Sequence, residues 1–269
     1  MRTLLATAAV ALAALTGPAL AEGGHAKLLD VKFSFEGPFG TYDYHAVQRG
    51  FQVYKDVCAA CHSLSLVAYR NLQQIGLSEA AVKAIAADVQ IRDLNDSGEM
   101  VERPGRPADR FKSPFPNEAA ARAANNGAYP PDLSLIIKAR PNGARYVYSL
   151  LQGYEDYAKL TDAQKKDMGL AHDFKMQPNM NFNKFFPGHQ IAMAKPLNDG
   201  QLEYNEQAKK DGIKNDLPQL AKDVVHFLAW ASEPKMEERK KTGVKAILFM
   251  VILAGLFYAV KRKVWADVH

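Results

Sequence analysis

Apolar residues recur at helical spacing along most of this chain. In "YHAVQRGFQVYKDV", residues 44–57, they fall every three or four positions. "SEAAVKAIAADVQIRD", residues 78–93, repeats the pattern after a serine that can cap the first turn. The segments predicted to be helical are 44–57, 65–72, 78–93, 118–124, 132–140, 144–153 and 216–234. Together they predict a core built mainly from helices.

Two segments lack this periodicity. Residues 95–117 are rich in proline, glycine and charge, and residues from about 158 to 199 form a second irregular stretch, so both are predicted to be loops. No segment has a convincing strand pattern, although "NFNKFF" at residues 181–186 can pair locally. The sequence therefore predicts a mostly α fold with long loop insertions.

The first 21 residues have the features of a secretory signal peptide. An apolar run at residues 4–15 follows Arg2, and the Ala-Leu-Ala at residues 19–21 is typical of a cleavage site. The run is too short to span a bilayer comfortably as an uncleaved anchor. The mature chain is therefore predicted to begin at Glu22, outside the cytoplasm.

A second membrane element lies at the other end of the chain. Residues 244–260 are apolar except for Lys245, which is about the minimum length for a transmembrane helix, and three basic residues follow directly. The positive-inside rule places that basic end in the cytoplasm. The predicted regions are a signal peptide at 1–21, an exported domain at 22–234, an anchor with its flanks at 235–263 and a cytoplasmic tail at 264–269.

The formal net charge of +5 comes from the two ends of the chain. Residues 22–234 contain 25 basic and 26 acidic side chains, whereas residues 235–269 contain 8 basic and 3 acidic ones. The basic anchor region suits anionic lipid headgroups. Because the exported domain is nearly neutral, membrane lipid is a predicted partner and nucleic acid is not.

The only two cysteines of the chain, Cys58 and Cys61, lie in "CAACH" and are followed at once by His62. This pattern is typical of a redox dithiol, half of a zinc site or the covalent attachment of haem c. A structural zinc site usually needs a second Cys/His pair, and the chain has no further cysteine. The adjacent imidazole and the helical flanks favour haem c, and a redox dithiol is the alternative.

An iron held by His62 has one axial position left. A methionine sulfur there raises the reduction potential relative to a second imidazole and suits an electron carrier, whereas an open position suits a peroxidase or a gas sensor. Met193 lies between two alanines in a proline-flanked loop, where a backbone can approach a porphyrin closely. Met176, Met180 and His189 are alternatives that the residues alone leave open.

Six motifs, taken in order, resemble the cytochrome c1 family, the membrane-anchored haem subunits of cytochrome bc1 complexes, in its alphaproteobacterial form. They are "VCAACHSL", "NNGAYPPDLSLI", "KARPNGARYVYSLLQGY", "FFPGHQIAMAKPL", "DVVHFLAWASEP" and the tail helix ending "KRKVW". The resemblance runs from about residue 33 to the C-terminus. It implies a cytochrome-c-like haem domain with one C-terminal transmembrane helix.

The resemblance also implies how one haem c is held. Cys58 and Cys61 attach it through two thioethers, and His62 and Met193 are the two iron ligands. Some bacterial relatives carry an additional cysteine pair in the later haem-side loop, which this chain lacks. The loop at 158–188 is therefore expected to hold the Met193 side by packing alone.

Further residues are implied to contact the haem. Arg140 resembles the family residue that pairs with a propionate, a role for which a planar guanidinium is well suited. Tyr146 resembles the tyrosine near that arginine, and Asn125 and Pro131 resemble segments that wall the haem. A surface arginine and an ordinary core tyrosine are the simpler interpretations of the first two.

A family member of this kind receives single electrons from a mobile Rieske iron–sulfur domain and passes them to a soluble or tethered cytochrome c. Cytochrome b is the implied partner in the bacterial inner membrane, with the haem domain on the periplasmic side. The sequence offers no catalytic centre of its own, so the chain is expected to be a subunit of a quinol–cytochrome c oxidoreductase. The alternative is a membrane-tethered c-type cytochrome of a terminal oxidase or a free-standing carrier.

Two acidic clusters are candidates for a docking face, because complementary charge speeds the encounter between electron-transfer partners. They consist of Asp93, Asp96, Glu99 and Glu102, and of Glu155 and Asp156. For either cluster alone, a simple solvated face is the more economical interpretation.

Overall fold

The structure is a computed structural model that describes residues 27–267, so the predicted signal peptide and the predicted mature N-terminus lie outside the described residues. The α-helices of this range are α1 Tyr44–Asp56, α2 Glu79–Ala87, α3 Glu118–Ala124, α4 Gly143–Gln152, α5 Asp162–Asp167, α6 Glu206–Lys210, α7 Leu217–Ser232 and α8 Met236–Val264. Two small antiparallel sheets pair β1 Gln90–Leu94 with β2 Met100–Pro104, and β3 Asn181–Phe182 with β4 Gln190–Ile191. The prediction of a mostly α fold is confirmed.

The prediction that no strand pattern exists is wrong for residues 90–104. Helix α2 ends at Ala87, and the last residues of the predicted 78–93 helix form β1 instead. The predicted loop at 95–117 supplies β2. Arg103 of β2 pairs with Asp93 of β1 at 2.7 Å, and this ion pair across the two strands favours the hairpin. Arg103 also pairs with Asp109, which follows the hairpin, at 2.7 Å. The local pairing predicted within 181–186 is confirmed by β3.

The helix predicted at 132–140 is also wrong, because residues 133–140 form successive turns. The Leu133 amide donates to the Ser63 carbonyl at 2.9 Å, and the Ser134 amide donates to the Asp132 carboxylate at 2.8 Å. These contacts fasten the start of the segment to Ser63 and to its own first residue. The helix predicted at 65–72 is replaced by a 3-10 helix at Tyr69–Ile75.

Helices α1 and α7 form the most extensive packing between elements in the described domain. Asp43 caps α1 and Asp216 caps α7, each accepting a backbone N–H of its own first turn at 3.0 Å. Where the helices cross, Gly50 lies directly against the backbone carbonyl of Asp223. Any side chain at that position would force the helices apart, so the sequence specifies the crossing through a glycine.

A buried carboxylate lies beside the same crossing. Asp223 is fully buried, and its two oxygens accept bonds from the Arg49 guanidinium at 2.8 and 2.9 Å. Tyr204 and Gln219 donate to it at 2.8 and 3.0 Å. Because all these donors are in place, the buried charge is satisfied and fixes the register of the two helices.

Helix α8 is long and apolar enough to cross a membrane. It begins at Met236, only three residues after α7 ends, and its first two turns contact the domain. Lys240 donates to the Phe35 and Gly40 carbonyls at 2.7 and 3.0 Å, and Glu237 accepts the Tyr42 amide at 2.8 Å. The start of the anchor is therefore fastened to the N-terminal segment of the domain.

The Gly50 contact predicts a large effect for one added methyl group. Gly50→Ala is expected to lower the free energy of unfolding by about 1–3 kcal/mol or more, because the crossing is overpacked against backbone. Thermal unfolding followed by far-UV circular dichroism measures this. Gly243→Ala is the matched control, since a Cβ there meets open space within a helix. Equal melting temperatures for the two variants would contradict the argument.

Candidate functional site

The Cys-Ala-Ala-Cys-His motif begins where α1 ends. A 3-10 turn at Cys58–Ala60 follows the helix, and the amides of Cys61 and His62 both donate to the Cys58 carbonyl, at 3.1 and 2.9 Å. The chain therefore reverses within four residues and presents both thiols and the imidazole on one compact turn. The packing of α1 against α7 fixes the position of that turn.

The environment of the Cys58 thiol disfavours its thiolate form. Burial, with a contribution from Cys61, raises its pKa to about 12. Catalytic dithiols work with a pKa lowered to about 7 or below, since the thiolate is the nucleophile. This environment argues against the redox alternative.

The His62 ring is oriented by a backbone carbonyl. Its Nδ1 lies 2.8 Å from the Pro131 oxygen, which can only accept, so Nδ1 carries a proton and Nε2 keeps its lone pair. Burial lowers the pKa of His62, despite the opposing effect of that hydrogen bond. A neutral imidazole with a free Nε2 beside two thiols fits the donor set of haem c.

Asp132 is a site residue that the sequence analysis did not identify. Its carboxylate accepts bonds from the Ser63 hydroxyl at 2.7 Å and from the Ser65 and Ser134 amides at 2.9 and 2.8 Å. Burial raises the pKa of Asp132, but these hydrogen bonds outweigh it and hold the pKa well below its usual range. Asp132 thereby fastens the Pro131 carbonyl to the segment that follows His62.

The Pro130-Pro131 turn next to Asp132 forms one wall of a groove. The groove lies beside Cys61 and is lined by Ser63, Phe115, Tyr129 and Pro130 among others. Pro131 itself is exposed and contributes its carbonyl rather than its ring to the site. This backbone role could not be assigned from residue type.

Met193 is half-buried in the irregular segment after β4. The Tyr154 hydroxyl donates to the Met193 carbonyl at 3.1 Å. The expectation that packing alone holds this side is therefore wrong, because a buried polar contact also ties it to the residues after α4. Burial raises the pKa of Tyr154, so its hydroxyl stays protonated as a donor.

Met176, Met180 and His189, the alternatives to Met193, each lie in a different environment. Met176 packs with Met168 in a separate apolar cluster, and Met180 is more than a third exposed. The His189 ring stacks on Phe182 at 5.8 Å, and its buried Nδ1 has no hydrogen-bond partner among the described residues. His189 is thus the competitor that an experiment has to separate from Met193.

Arg140 lies within electrostatic range of Tyr146, whereas Asn125 lies on a helix end. Arg140 is exposed and its guanidinium donates to the Ala139 carbonyl at 3.1 Å. Burial raises the pKa of Tyr146, and the positive charge of Arg140 opposes that shift. Asn125 ends α3, where its amide donates to the Ala121 carbonyl at 2.7 Å.

The first acidic cluster is largely compensated. Asp93 pairs with Arg103, and Glu102 lies 3.4 Å from Arg92 across the hairpin. In the second cluster, Asp156 pairs with Lys159 at 3.2 Å. These local partners favour the interpretation as solvated faces, since paired charges steer a distant partner weakly.

Comparison with known proteins gives a consistent result. The model of the cytochrome C1 family matches residues 33–268. Cytochrome c1 of Rhodospirillum rubrum is 43% identical over 277 residues, covering 100% of this chain and 99% of that protein. The mitochondrial cytochrome c1 haem protein of Saccharomyces cerevisiae is 43% identical over 237 residues, covering 88% of this chain and 71% of that protein.

A further relative is longer. The cytochrome b/c1 protein of Bradyrhizobium diazoefficiens is 48% identical over 248 residues, which are 88% of this chain and 35% of that protein. The chain therefore spans about a third of the length of this relative.

The Asp132 contacts predict a pH-dependent loss of stability. Asp132→Asn is expected to lower the free energy of unfolding by roughly 2 kcal/mol at neutral pH, because a carboxylate with three donors is replaced. Since the folded pKa is depressed, this contribution is present above the unfolded value near 4 and is lost as the pH falls below it. Denaturant unfolding at several pH values measures the difference between variant and wild type.

That difference should shrink below about pH 4, the usual pKa of an aspartate. Asp96→Asn, at an exposed position of the β1–β2 turn, is the control and should leave stability unchanged. A difference between wild type and Asp132→Asn that is the same at all pH values would show that the carboxylate charge is not what matters.

Proposed function

Because this chain belongs to the cytochrome c1 family, we propose that it is the electron-transfer subunit of a cytochrome bc1 complex. Haem c, when bound, supplies a one-electron redox centre. The observation that carries the proposal is the oriented His62 imidazole beside Cys58 and Cys61 on one turn. The chain's own task is to hold, orient and shield this group.

The proposed ligand set is closed. Cys58 and Cys61 would form the thioethers, and the His62 imidazole, through Nε2, and the Met193 sulfur would bind the iron. A closed set leaves no position for a substrate, so the chain is proposed to have no catalytic centre of its own. Methionine ligation suits a carrier of high potential.

The remaining residues are proposed to act on the edge of the haem. Arg140, exposed and without a carboxylate partner among the described residues, is free to pair with a propionate. Tyr146 lies beside it, and Asn125 and Pro131 contribute to the wall. A positive charge near a propionate favours the reduced state, since it stabilises the added electron.

The proposed partners are cytochrome b and a Rieske iron–sulfur protein, with a soluble or tethered cytochrome c as electron acceptor. The proposed place is the bacterial inner membrane, crossed once by α8, with the haem domain on the periplasmic side. The contacts of Lys240 and Glu237 support a subunit over a free-standing tethered carrier. A carrier that travels between partners needs a flexible tether, whereas this anchor is fastened to its domain.

A stepwise reduction spectrum tests the proposal. The protein is isolated from native membranes in mild detergent, and ascorbate is added before dithionite. Ascorbate is expected to produce a c-type band, and dithionite is expected to add b-type bands from a co-purifying cytochrome b. A c-type band alone, under conditions shown to preserve complexes, would overturn the subunit assignment and favour the tethered carrier.

The role of Arg140 gives a second prediction. Arg140→Gln is expected to lower the reduction potential of the haem by roughly 40 mV, which corresponds to about 1 kcal/mol for one electron. A redox titration followed at the c-type band measures it. Arg145→Gln removes an equal charge from an exposed arginine that pairs with Glu36 at 3.5 Å, and should leave the potential unchanged. Equal shifts for both variants would argue against a specific propionate contact.

A further inference from the structure

We propose that Asn183 and Tyr154 are positioning residues that clamp the Met193 segment to the C-terminal end of α4. The inference rests on the proposed function, because it takes Met193 as the axial ligand. These hydrogen bonds fix the loop in this chain, which lacks the cysteine pair that some bacterial relatives carry there.

Asn183 is fully buried and its side-chain amide is satisfied at both ends. The Nδ2 group donates to the Leu150 carbonyl of α4 at 2.8 Å, and Oδ1 accepts the Phe185 amide at 3.0 Å. Its backbone amide donates to the His189 carbonyl at 3.0 Å. The side chain of Asn183 thus joins the last turn of α4 to the start of the loop that leads to Met193, and its backbone amide joins that start to the His189 end of the loop.

Asn183 packs so closely against Gly153 that no side chain larger than hydrogen fits at position 153. A Cβ at Gly153 would lie 2.6 Å from the Asn183 Oδ1 and 2.7 Å from the Phe185 ring. The Lys184 amide donates to the Gly153 carbonyl at 2.8 Å, and Tyr154 forms a β-bridge with Asn183. The loop is therefore laid directly on the residues that end α4.

Tyr154 completes the clamp at the ligand itself. It is the neighbour of Asn183 in the bridge, and its hydroxyl donates to the carbonyl of Met193. Helix α4 packs on α7, and α7 packs on α1. Helix α1 in turn contacts the 3-10 turn that leads to His62. Through Asn183 and Tyr154, both axial ligands are held by one helical framework.

The clamp makes a specific prediction for the balance between bound and displaced Met193. Removing the Tyr154 hydroxyl should increase the displaced fraction about tenfold, as expected for the loss of one partly buried hydrogen bond. Removing the Asn183 side-chain amide breaks two hydrogen bonds and should increase it at least as much. Carbon monoxide competes with Met193 for the ferrous iron. Its apparent affinity should therefore rise by the same factor, since it binds only the displaced state.

The test compares Tyr154→Phe and Asn183→Leu with wild type in the intact complex. The readouts are the charge-transfer band of methionine sulfur on ferric haem and the carbon monoxide affinity of the ferrous form. Tyr157→Phe is the matched control, because it removes a hydroxyl that donates to Phe174 at 3.1 Å in the separate apolar cluster. We expect a weaker band and about tenfold tighter carbon monoxide binding in the two clamp variants only.

A Met193→Leu variant separates the two levels of the argument. If wild type has no sulfur band, as ligation by His189 would require, or if Met193→Leu retains the band, Met193 is not the ligand and the proposed ligand set fails. If it loses the band while Tyr154→Phe and Asn183→Leu bind carbon monoxide like wild type, the ligand set stands and the clamp is wrong. Should Asn183→Leu not assemble, the single-atom change Tyr154→Phe decides the question.

Discussion

The close crossing of α1 and α7 at Gly50 is the constraint on which the rest of this structure depends. One helix delivers the Cys58–His62 turn, and the other leads into the anchor. Because the backbones touch, a small change at the crossing moves the candidate site relative to the membrane helix. The buried Arg49–Asp223 pair adds register to this contact, so that the helices are fixed along their length as well as in separation.

The candidate site is built from two arms that reach this framework by different routes. The His62 arm follows α1 directly and is fastened to Pro131 through the Asp132 carboxylate. The Met193 arm lies in a long irregular segment and reaches α7 through Asn183, Tyr154 and α4. Hydrogen bonds between side chains and the backbone hold both routes, which suits a site that must keep its geometry while its charge changes.

Much of this arrangement could be predicted, where the signal was local in sequence. The attachment motif occupies five consecutive residues, α1, α4 and α7 have strong apolar periodicity, and the anchor is a continuous apolar run. The Gln90–Pro104 hairpin was missed because its charged strands lack apolar alternation and its stability depends on Arg103 pairs. The 132–140 segment has helical periodicity, but tertiary contacts to Ser63 and Ser65 override it. Asp132 and Asn183 could not be assigned roles, since their partners are up to 69 positions away.

The order of these contacts along the chain has a kinetic consequence. Arg49 and Asp223 are 174 positions apart, so the α1–α7 contact forms only after most of the described domain has been synthesised. Until then the Cys58–His62 stretch has no helix to pack against and stays accessible for the attachment of its cofactor. Synthesis from the N-terminus thus leaves an interval for that attachment, and the interval ends when α7 arrives, just ahead of α8.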